Sequence, residues 1–122
     1  MEIHERPCGL EGVTLLDLDG GLDHTNTDEF TRKMHDLLQK GASRVVLDLE
    51  HLNYASSLGL AALVRVHHHY AVRGGRVVFA NLHAAVASIL QVSRLDRLFD
   101  LHPTVKEALL KVSQPPQTHG EG

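Results

Sequence analysis

The sequence predicts an α/β fold, because apolar segments typical of strands alternate with segments of helical periodicity. Arg44–Leu49 and Arg76–Ala80 are almost wholly apolar, which is typical of strands covered on both faces. The predicted order is strand, strand, helix, strand, helix, strand, helix, strand, helix, and such alternation implies parallel pairing with right-handed crossovers. A chain of 122 residues suffices for one domain and is too short for two.

The N-terminal segments are expected to form a hairpin followed by a helix. Ile3–Arg6 and Val13–Leu18 are predicted strands separated by glycine turn signals, and Gly20-Gly21 ends the second strand. Thr27 is the predicted N-cap of the first helix, because two acidic residues follow it and suit the helix dipole. Gly41 should end that helix.

The C-terminal half should contain three more helices and a last short strand. The predicted helices are Leu58–Val72, Ala84–Val92 and Val105–Val112, and the predicted strand is Leu98–Leu101. We therefore expect one domain over residues 1–112. Residues 113–122 are polar and rich in glycine and proline, so this tail has nothing to bury and is expected to be disordered.

Composition excludes several classes of protein. The formal net charge of −3 gives no basic footprint of the kind that nucleic-acid binders show, so no nucleic-acid partner is expected. No apolar run approaches the length of about 18 residues that a membrane span needs, and the first residues lack the signal-peptide pattern. The lone Cys8 fits a reducing compartment. A cytoplasmic protein without membrane insertion is the expectation.

Histidines are numerous but do not predict a metal site. His67-His68-His69 falls on a predicted helix, where consecutive side chains point about 100° apart and cannot face one ion together. Solvated or partly packed histidines are the expected outcome. The sequence therefore predicts no metal and no cofactor.

The most informative feature is a polar turn that ends in Ser56 and Ser57 and opens an apolar helix. Backbone N–H groups and the helix dipole favour negative charge at such a position. A serine there can be a plain N-cap, a nucleophile or a residue that receives a phosphate.

The nucleophile hypothesis has one point in its favour. Residues 55–59 resemble a nucleophile elbow of the form small-x-Ser-x-Gly, and Asp96 or Asp100 and then His102 follow in the order Ser, Asp, His. The chain is far shorter than hydrolases of that class, and no glycine-rich oxyanion segment precedes the turn. A small serine hydrolase is therefore the least favoured alternative, and no catalytic residue is assigned.

Five segments, in this order and spacing, resemble the bacterial STAS-domain proteins called anti-sigma factor antagonists. These segments are Gly20–Asp23, Val46–Leu49, Tyr54–Leu60, Arg73–Val78 and Leu95–Phe99. The resemblance implies a STAS fold, with a mixed sheet of four or five strands and helices packed mainly on one face.

The resemblance also implies a role in partner switching. Family members bind an anti-sigma factor, often a serine kinase that uses its own ATP, and thereby free the sigma factor. Phosphorylation of a serine or threonine at the turn breaks the complex, and a phosphatase restores it. On this basis the chain would be a regulator of transcription and a kinase substrate without enzymatic activity.

One departure from the family concerns the phosphate acceptor. The usual turn is Asp-Ser-Ser-Gly-Leu or Asp-Ser-Thr-Gly-Leu, with the second hydroxyl residue as acceptor. Alignment on Gly59 and Leu60 places Leu58 at the acceptor position, whereas alignment on the serines places Ser57 there. Ser57 is the first candidate because it is the hydroxyl nearest the helix, and Ser56 is the second.

The resemblance further implies a docking surface for the partner around this turn. The residues expected to form it are Asp23, Asn53, Tyr54, Ser56, Ser57 and Leu58. Some relatives with a turn of this shape act without phosphorylation, including STAS subunits of phospholipid transport systems. An accessory subunit of a phospholipid or anion transport system is therefore the alternative function.

Overall fold

The structure, a computed structural model, describes residues 1–114. Residues 115–122, which hold most of the predicted polar tail, lie outside the described residues. In chain order the elements are β1 (Glu2–Arg6), β2 (Val13–Leu22), α1 (Thr27–Gln39), β3 (Arg44–Asp48), β4 (Leu52–Ala55), α2 (Ser57–Val72), β5 (Arg76–Ala80), α3 (Ala84–Val92), β6 (Asp100–His102) and α4 (Val105–Ser113). A short 3-10 helix, Leu95–Arg97, precedes β6.

The strands form one mixed sheet, which confirms the predicted fold class. β1 pairs antiparallel with β2, and the remaining pairs are parallel in the order β1-β2-β3-β5-β6. β4 is additional, since it pairs with the C-terminal end of β2. The sheet of residues 1–114 therefore has six strands rather than the four or five expected.

Helices cover both faces of the sheet, with most of them on one. α1, α2 and α3 share a large core with alternate residues of β2, β3 and β5, among them Leu16, Leu47 and Phe79. The other residues of the same strands, such as Val46 and Val78, pack against α4. Burial on both faces explains why β3 and β5 are nearly continuous apolar runs.

β2 and β4 are the elements that the sequence prediction placed incorrectly. Gly20-Gly21 was expected to end β2, but the strand continues to Leu22 through an irregularity between the two glycines, with Gly20 at φ +118°. Residues 52–55 were expected to belong to a polar turn but form β4, in which Asn53 and Tyr54 are exposed and Leu52 and Ala55 are buried. Glycine lets β2 bend and still pair with β4.

Several boundaries also differ from the prediction, among them the end of α4, which includes Ser113, the first residue of the predicted tail. Asn26, not Thr27, occupies the N-cap position of α1, because Thr27 is already the first helical residue. The Asn26 side chain is hydrogen-bonded within the preceding loop and caps no amide of the helix. α2 begins one residue earlier than predicted, at Ser57. The last strand is Asp100–His102 instead of Leu98–Leu101, because the 3-10 helix and the residue that ends it, Leu98, occupy part of that segment.

A single hydrogen bond ties the two long helices together inside the core. The fully buried Tyr70 of α2 donates its hydroxyl to the backbone oxygen of Met34 in α1 at 2.6 Å. Burial raises the pKa of Tyr70 to about 12. Within residues 1–114, every helix is too short or too polar to cross a membrane.

Candidate docking site

The turn between β4 and α2 is held by the backbone of β2. The amide of Ser56 donates to the oxygen of Leu22 at 2.9 Å. Gly59, in the first turn of α2, lies against the same carbonyl, and a Cβ atom at Gly59 would sit 2.3 Å from that oxygen. Only glycine permits this approach, so the position of Gly59 sets how closely α2 begins beside β2.

Ser56 is the N-cap of α2. Its backbone is extended, with φ −77° and ψ 175°, and its Oγ accepts a hydrogen bond from the amide of Gly59 at 3.1 Å. This contact satisfies one of the amides that a helix leaves free at its start. The Ser56 hydroxyl therefore has a structural role, as the plain cap hypothesis requires.

Ser57 is different, since it is the first residue of the helix and its side chain faces solvent. No hydrogen bond within residues 1–114 engages its hydroxyl. No acidic side chain stands in the first turn of α2, so the positive end of the helix dipole is not neutralised there by the helix itself. Of the two serines, Ser57 is the one that a second protein can reach without breaking a cap.

Two large apolar side chains are exposed on either side of the serines. Tyr54 has 50% and Leu58 has 56% of its surface accessible. Tyr54 lies over the backbone of Gly21, where a Cβ would meet its ring at 3.4 Å. Asn53, beside Tyr54, is also exposed. The turn thus presents an apolar surface that the fold leaves uncovered.

The loop after β2 runs beside this turn, because β2 and β4 are paired up to Leu22 and Ala55. Asp23 Oδ1 accepts hydrogen bonds from the amide and the hydroxyl of Thr25, at 2.9 and 2.5 Å. These bonds, from the hydroxyl first and the amide second, lower the pKa of Asp23. Asp23 therefore shapes its own loop, and the partly exposed carboxylate remains ionised near neutral pH.

Asn26 anchors the loop and was not singled out in the sequence. Its Oδ1 accepts from the amide of Asp23 at 2.9 Å, and its Nδ2 donates to the oxygen of Gly21 at 2.7 Å. Asn26 is almost fully buried. Aspartate and asparagine are both common turn residues, but nothing in the local pattern shows that the Asn26 amide reaches back to β2.

The residues of the hydrolase hypothesis are not assembled into a triad by any described contact. His102 Nε2 and Asp100 Oδ1 are 2.9 Å apart on β6, and Asp100 Oδ2 accepts from Arg76 at 2.8 Å. β6 lies at one edge of the sheet, whereas the serine turn follows β4, which pairs with β2. Within residues 1–114, no hydrogen bond joins either serine to a histidine.

Comparison with known families identifies the class of protein. The STAS domain family matches residues 9–108. The chain belongs to this family, as the sequence resemblance indicated.

Several individual proteins are similar to the chain. It is 28% identical over 90 residues to the Bordetella bronchiseptica protein BtrV, an alignment that covers 74% of this chain and 78% of that protein. It is 24% identical over 102 residues to an anti-sigma F factor antagonist of Paenibacillus polymyxa, covering 83% of this chain and 87% of that one.

Solved structures share the fold. An anti-sigma factor antagonist from Mycobacterium paratuberculosis superimposes with a TM-score of 0.78 at 19% identity, over 93% of this chain and 96% of that one. The phosphorylated form of the Bacillus protein SpoIIAA gives 0.69 at 20% identity, over 91% and 99% of the two chains. The protein SLC26A9 gives 0.70 at 20% identity, over 84% of this chain but only 20% of that chain.

Proposed function

We propose that this protein is an anti-sigma factor antagonist that binds an anti-sigma factor through the turn before α2. The observation that carries this proposal is the exposure of Tyr54 and Leu58 beside the accessible Ser57. Single exposed apolar side chains need no explanation, but a pair of them beside an accessible hydroxyl favours an interaction surface. The names of the relatives support a partner of this kind.

The docking surface of the proposal comprises the Asp23 loop, Asn53 and Tyr54, the two serines, and Leu58. Its apolar centre is flanked by a carboxylate, and no Lys or Arg belongs to it. A partner with an apolar patch and a positively charged border complements such a surface. The proposed location is the bacterial cytoplasm, where sigma factors act.

We further propose that phosphorylation of Ser57 by the anti-sigma factor, acting as a serine kinase, releases the complex. Ser57 lies at the exposed start of a helix, and a phosphate is well tolerated beside free helical amides. Ser56 is less suitable, because its hydroxyl caps Gly59. The similar fold of SpoIIAA, which exists in a phosphorylated form, supports this regulation.

A phosphate acts on the partner more than on the fold. It adds a charge of about −1.5 to −2 next to Leu58 and Tyr54, and an apolar partner surface would have to desolvate that charge. A phosphatase would restore binding. ATP belongs to the kinase in this scheme, so the chain needs no cofactor and performs no catalysis.

The test starts with partner capture and a point variant. Wild-type protein is used to co-purify its partner, and the dissociation constant is then measured for wild type, Ser57→Asp and Ser57→Ala. We expect Ser57→Asp to weaken binding at least tenfold and Ser57→Ala to leave it unchanged. Ser88→Asp, at an exposed serine of α3, is the matched control. Wild-type affinity for Ser57→Asp would show that Ser57 phosphorylation is not the switch.

The alternative function is an accessory subunit of a phospholipid or anion transport system. Leu58 favours it, since an exposed leucine at the usual acceptor position suits a contact that does not depend on phosphate. The likeness to SLC26A9 is in keeping with this alternative, since a similar fold there forms only part of a much longer chain. Capture of a transport ATPase or permease instead of an anti-sigma factor would establish this alternative and refute the first.

A further inference from the structure

A groove runs between α1 and the C-terminal half of α2. Its volume is about 400 Å³, within the range of about 300–1,000 Å³ that is usual for small-molecule sites. Met34, Val66 and Tyr70 form a closed apolar floor, since all three are buried. Val72, with 64% of its surface accessible, adds an exposed apolar wall. The groove therefore offers apolar contact to a ligand that lies along the two helices.

The titratable side chains that border the groove are all nitrogen bases. Arg65, His35, His68 and His69 line it, and no acidic side chain of residues 1–114 does so. Asp36, next to His35 in sequence, belongs to a different hollow beside β1. An apolar groove with a rim of this kind complements a ligand that has an apolar body and a negatively charged end.

The hydrogen bonds of the rim decide which histidine nitrogen faces a ligand as a donor. The amide nitrogen of Gln39 donates to His35 Nε2 at 3.1 Å, so the proton of a neutral His35 is on Nδ1. His35 Nδ1 then donates to His69 Nε2 at 3.0 Å, which places the proton of His69 on Nδ1. Within residues 1–114 no atom accepts from His69 Nδ1, and this nitrogen is not buried. His69 therefore has a free N–H donor.

We propose that this groove binds a medium-chain fatty acid, with the carboxylate at Arg65 and His69 and the alkyl chain directed towards Val72. Arg65 and His69 are one helical turn apart, so both can donate to one carboxylate. Arg65 and Val72 are seven residues apart on α2, which corresponds to about 10 Å along the helix. A medium-chain acid spans that length.

The two ends of the ligand contribute differently. The alkyl chain removes the apolar surface of the groove from water, and the carboxylate fixes its direction. Because the floor is closed, the chain lies in the groove and remains partly exposed. The groove borders the second half of α2, whereas the proposed docking surface surrounds the start of that helix. The inference does not rest on the proposed docking function.

The test uses the full chain and decanoate, which is titrated by calorimetry below the concentration at which it forms micelles. NMR shifts of backbone amides locate the bound ligand. Decanol lacks the charge, and decyltrimethylammonium reverses it. We expect saturable binding of one decanoate per chain, about tenfold weaker binding of decanol, and no saturable binding of decyltrimethylammonium, because the carboxylate bonds are charge-assisted.

Point variants test the two ends of the groove separately. Arg65→Gln should weaken decanoate binding about tenfold and leave decanol binding largely unchanged, since it removes only the charged donor. Val72→Glu should weaken both ligands, because it places a charge beside the alkyl chain. Arg97→Gln and Val92→Glu, at exposed residues outside the groove, are the matched controls and should bind decanoate as wild type does.

Three results would overturn the proposal. They are the absence of saturable decanoate binding by wild type, amide shifts confined to the turn at Ser57, and wild-type decanoate affinity in Arg65→Gln shown to be folded by circular dichroism. An acidic amphipathic peptide that binds the groove where decanoate does not would also overturn it, and would assign the groove to a protein partner.

Discussion

Gly59 determines how closely the start of α2 approaches β2 at the serine turn. Its missing side chain lets α2 begin against the carbonyl of Leu22, where a Cβ would come within 2.3 Å of the oxygen. The obstacle is backbone, which cannot rotate aside as a flexible side chain can. Gly59→Ala should therefore force α2 away from β2.

We expect Gly59→Ala to lower the free energy of unfolding by about 2–3 kcal/mol, in the range of overpacked sites. Chemical denaturation followed by circular dichroism measures the change. Ser57→Ala, in the same helical turn but exposed, serves as the control and should stay within about 0.5 kcal/mol of wild type. Equal stability of both variants would contradict the close approach.

Asp23 offers a pH prediction at the same scale. Its pKa lies below the usual value because Thr25 donates two hydrogen bonds to Oδ1. A carboxyl with a depressed folded pKa stabilises the fold above its unfolded pKa of about 3.8, and this contribution is lost as pH falls through the folded pKa.

Thr25→Val removes the hydroxyl donor and keeps the side-chain shape. The pKa of Asp23, followed by NMR titration of its carboxyl carbon, should rise towards the ordinary value. Thr104→Val, which removes an N-cap hydroxyl of α4, should leave the Asp23 titration unchanged. An unaltered Asp23 pKa in Thr25→Val would assign the shift to another cause.

At the scale of elements, the pairing of α1 with α2 depends on a polar contact inside an apolar core. The Tyr70 hydroxyl donates to the Met34 oxygen at 2.6 Å, and both residues are fully buried. A buried hydrogen bond of this kind contributes about 0.5–1.5 kcal/mol. It also fixes where along α1 the second helix lies.

Tyr70→Phe should lower the free energy of unfolding by about 1 kcal/mol while the sheet is retained. Urea denaturation measures the loss of stability. Relative to wild type, amide hydrogen exchange should accelerate more in α1 and α2 than in β3. Tyr54→Phe, at an exposed tyrosine, is the matched control and should have no effect. A loss in Tyr54→Phe equal to that in Tyr70→Phe would refute a specific role for the buried hydroxyl.

A comparison of the predicted and observed elements shows which of them local sequence patterns can predict. The buried strands β3 and β5 and all four helices were predicted from apolar runs and helical spacing within one or two residues of their observed bounds. β4 was missed, because its outward residues Asn53 and Tyr54 resemble a loop and only Leu52 and Ala55 face the core. A four-residue strand has too few inward positions for alternation to be visible.

At the scale of the whole molecule, folding and docking are expected to be separable. Leu58 and Tyr54 are exposed and pack little against the core, so their substitution should spare the fold. In the proposed complex the same side chains lie at the centre of the contact, where truncation of an apolar anchor costs about 2 kcal/mol or more.

Leu58→Asp should thus keep the free energy of unfolding within about 0.5 kcal/mol of wild type and weaken partner binding by more than tenfold. Thermal unfolding and calorimetric titration with the captured partner measure the two quantities. Leu110→Asp, at an exposed leucine of α4 on the opposite face of the sheet, is the control for charge alone. Undiminished binding by Leu58→Asp would exclude this turn as the docking centre.

The α/β alternation, the buried strands and the serines at a helix start all follow from patterns within a few residues, since periodicity and capping are local properties. The extension of β2, its pairing with β4, the contact of Gly59 with Leu22 and the meeting of His35 with His69 are not visible in any local pattern. Each joins segments some 30 to 40 residues apart, and only close packing of the whole chain brings their atoms together. The sequence alone therefore places two serines at the start of a helix. Only the packed structure decides that Tyr54 and Leu58 are exposed beside them, that the Ser56 hydroxyl caps the helix and that Ser57 faces solvent.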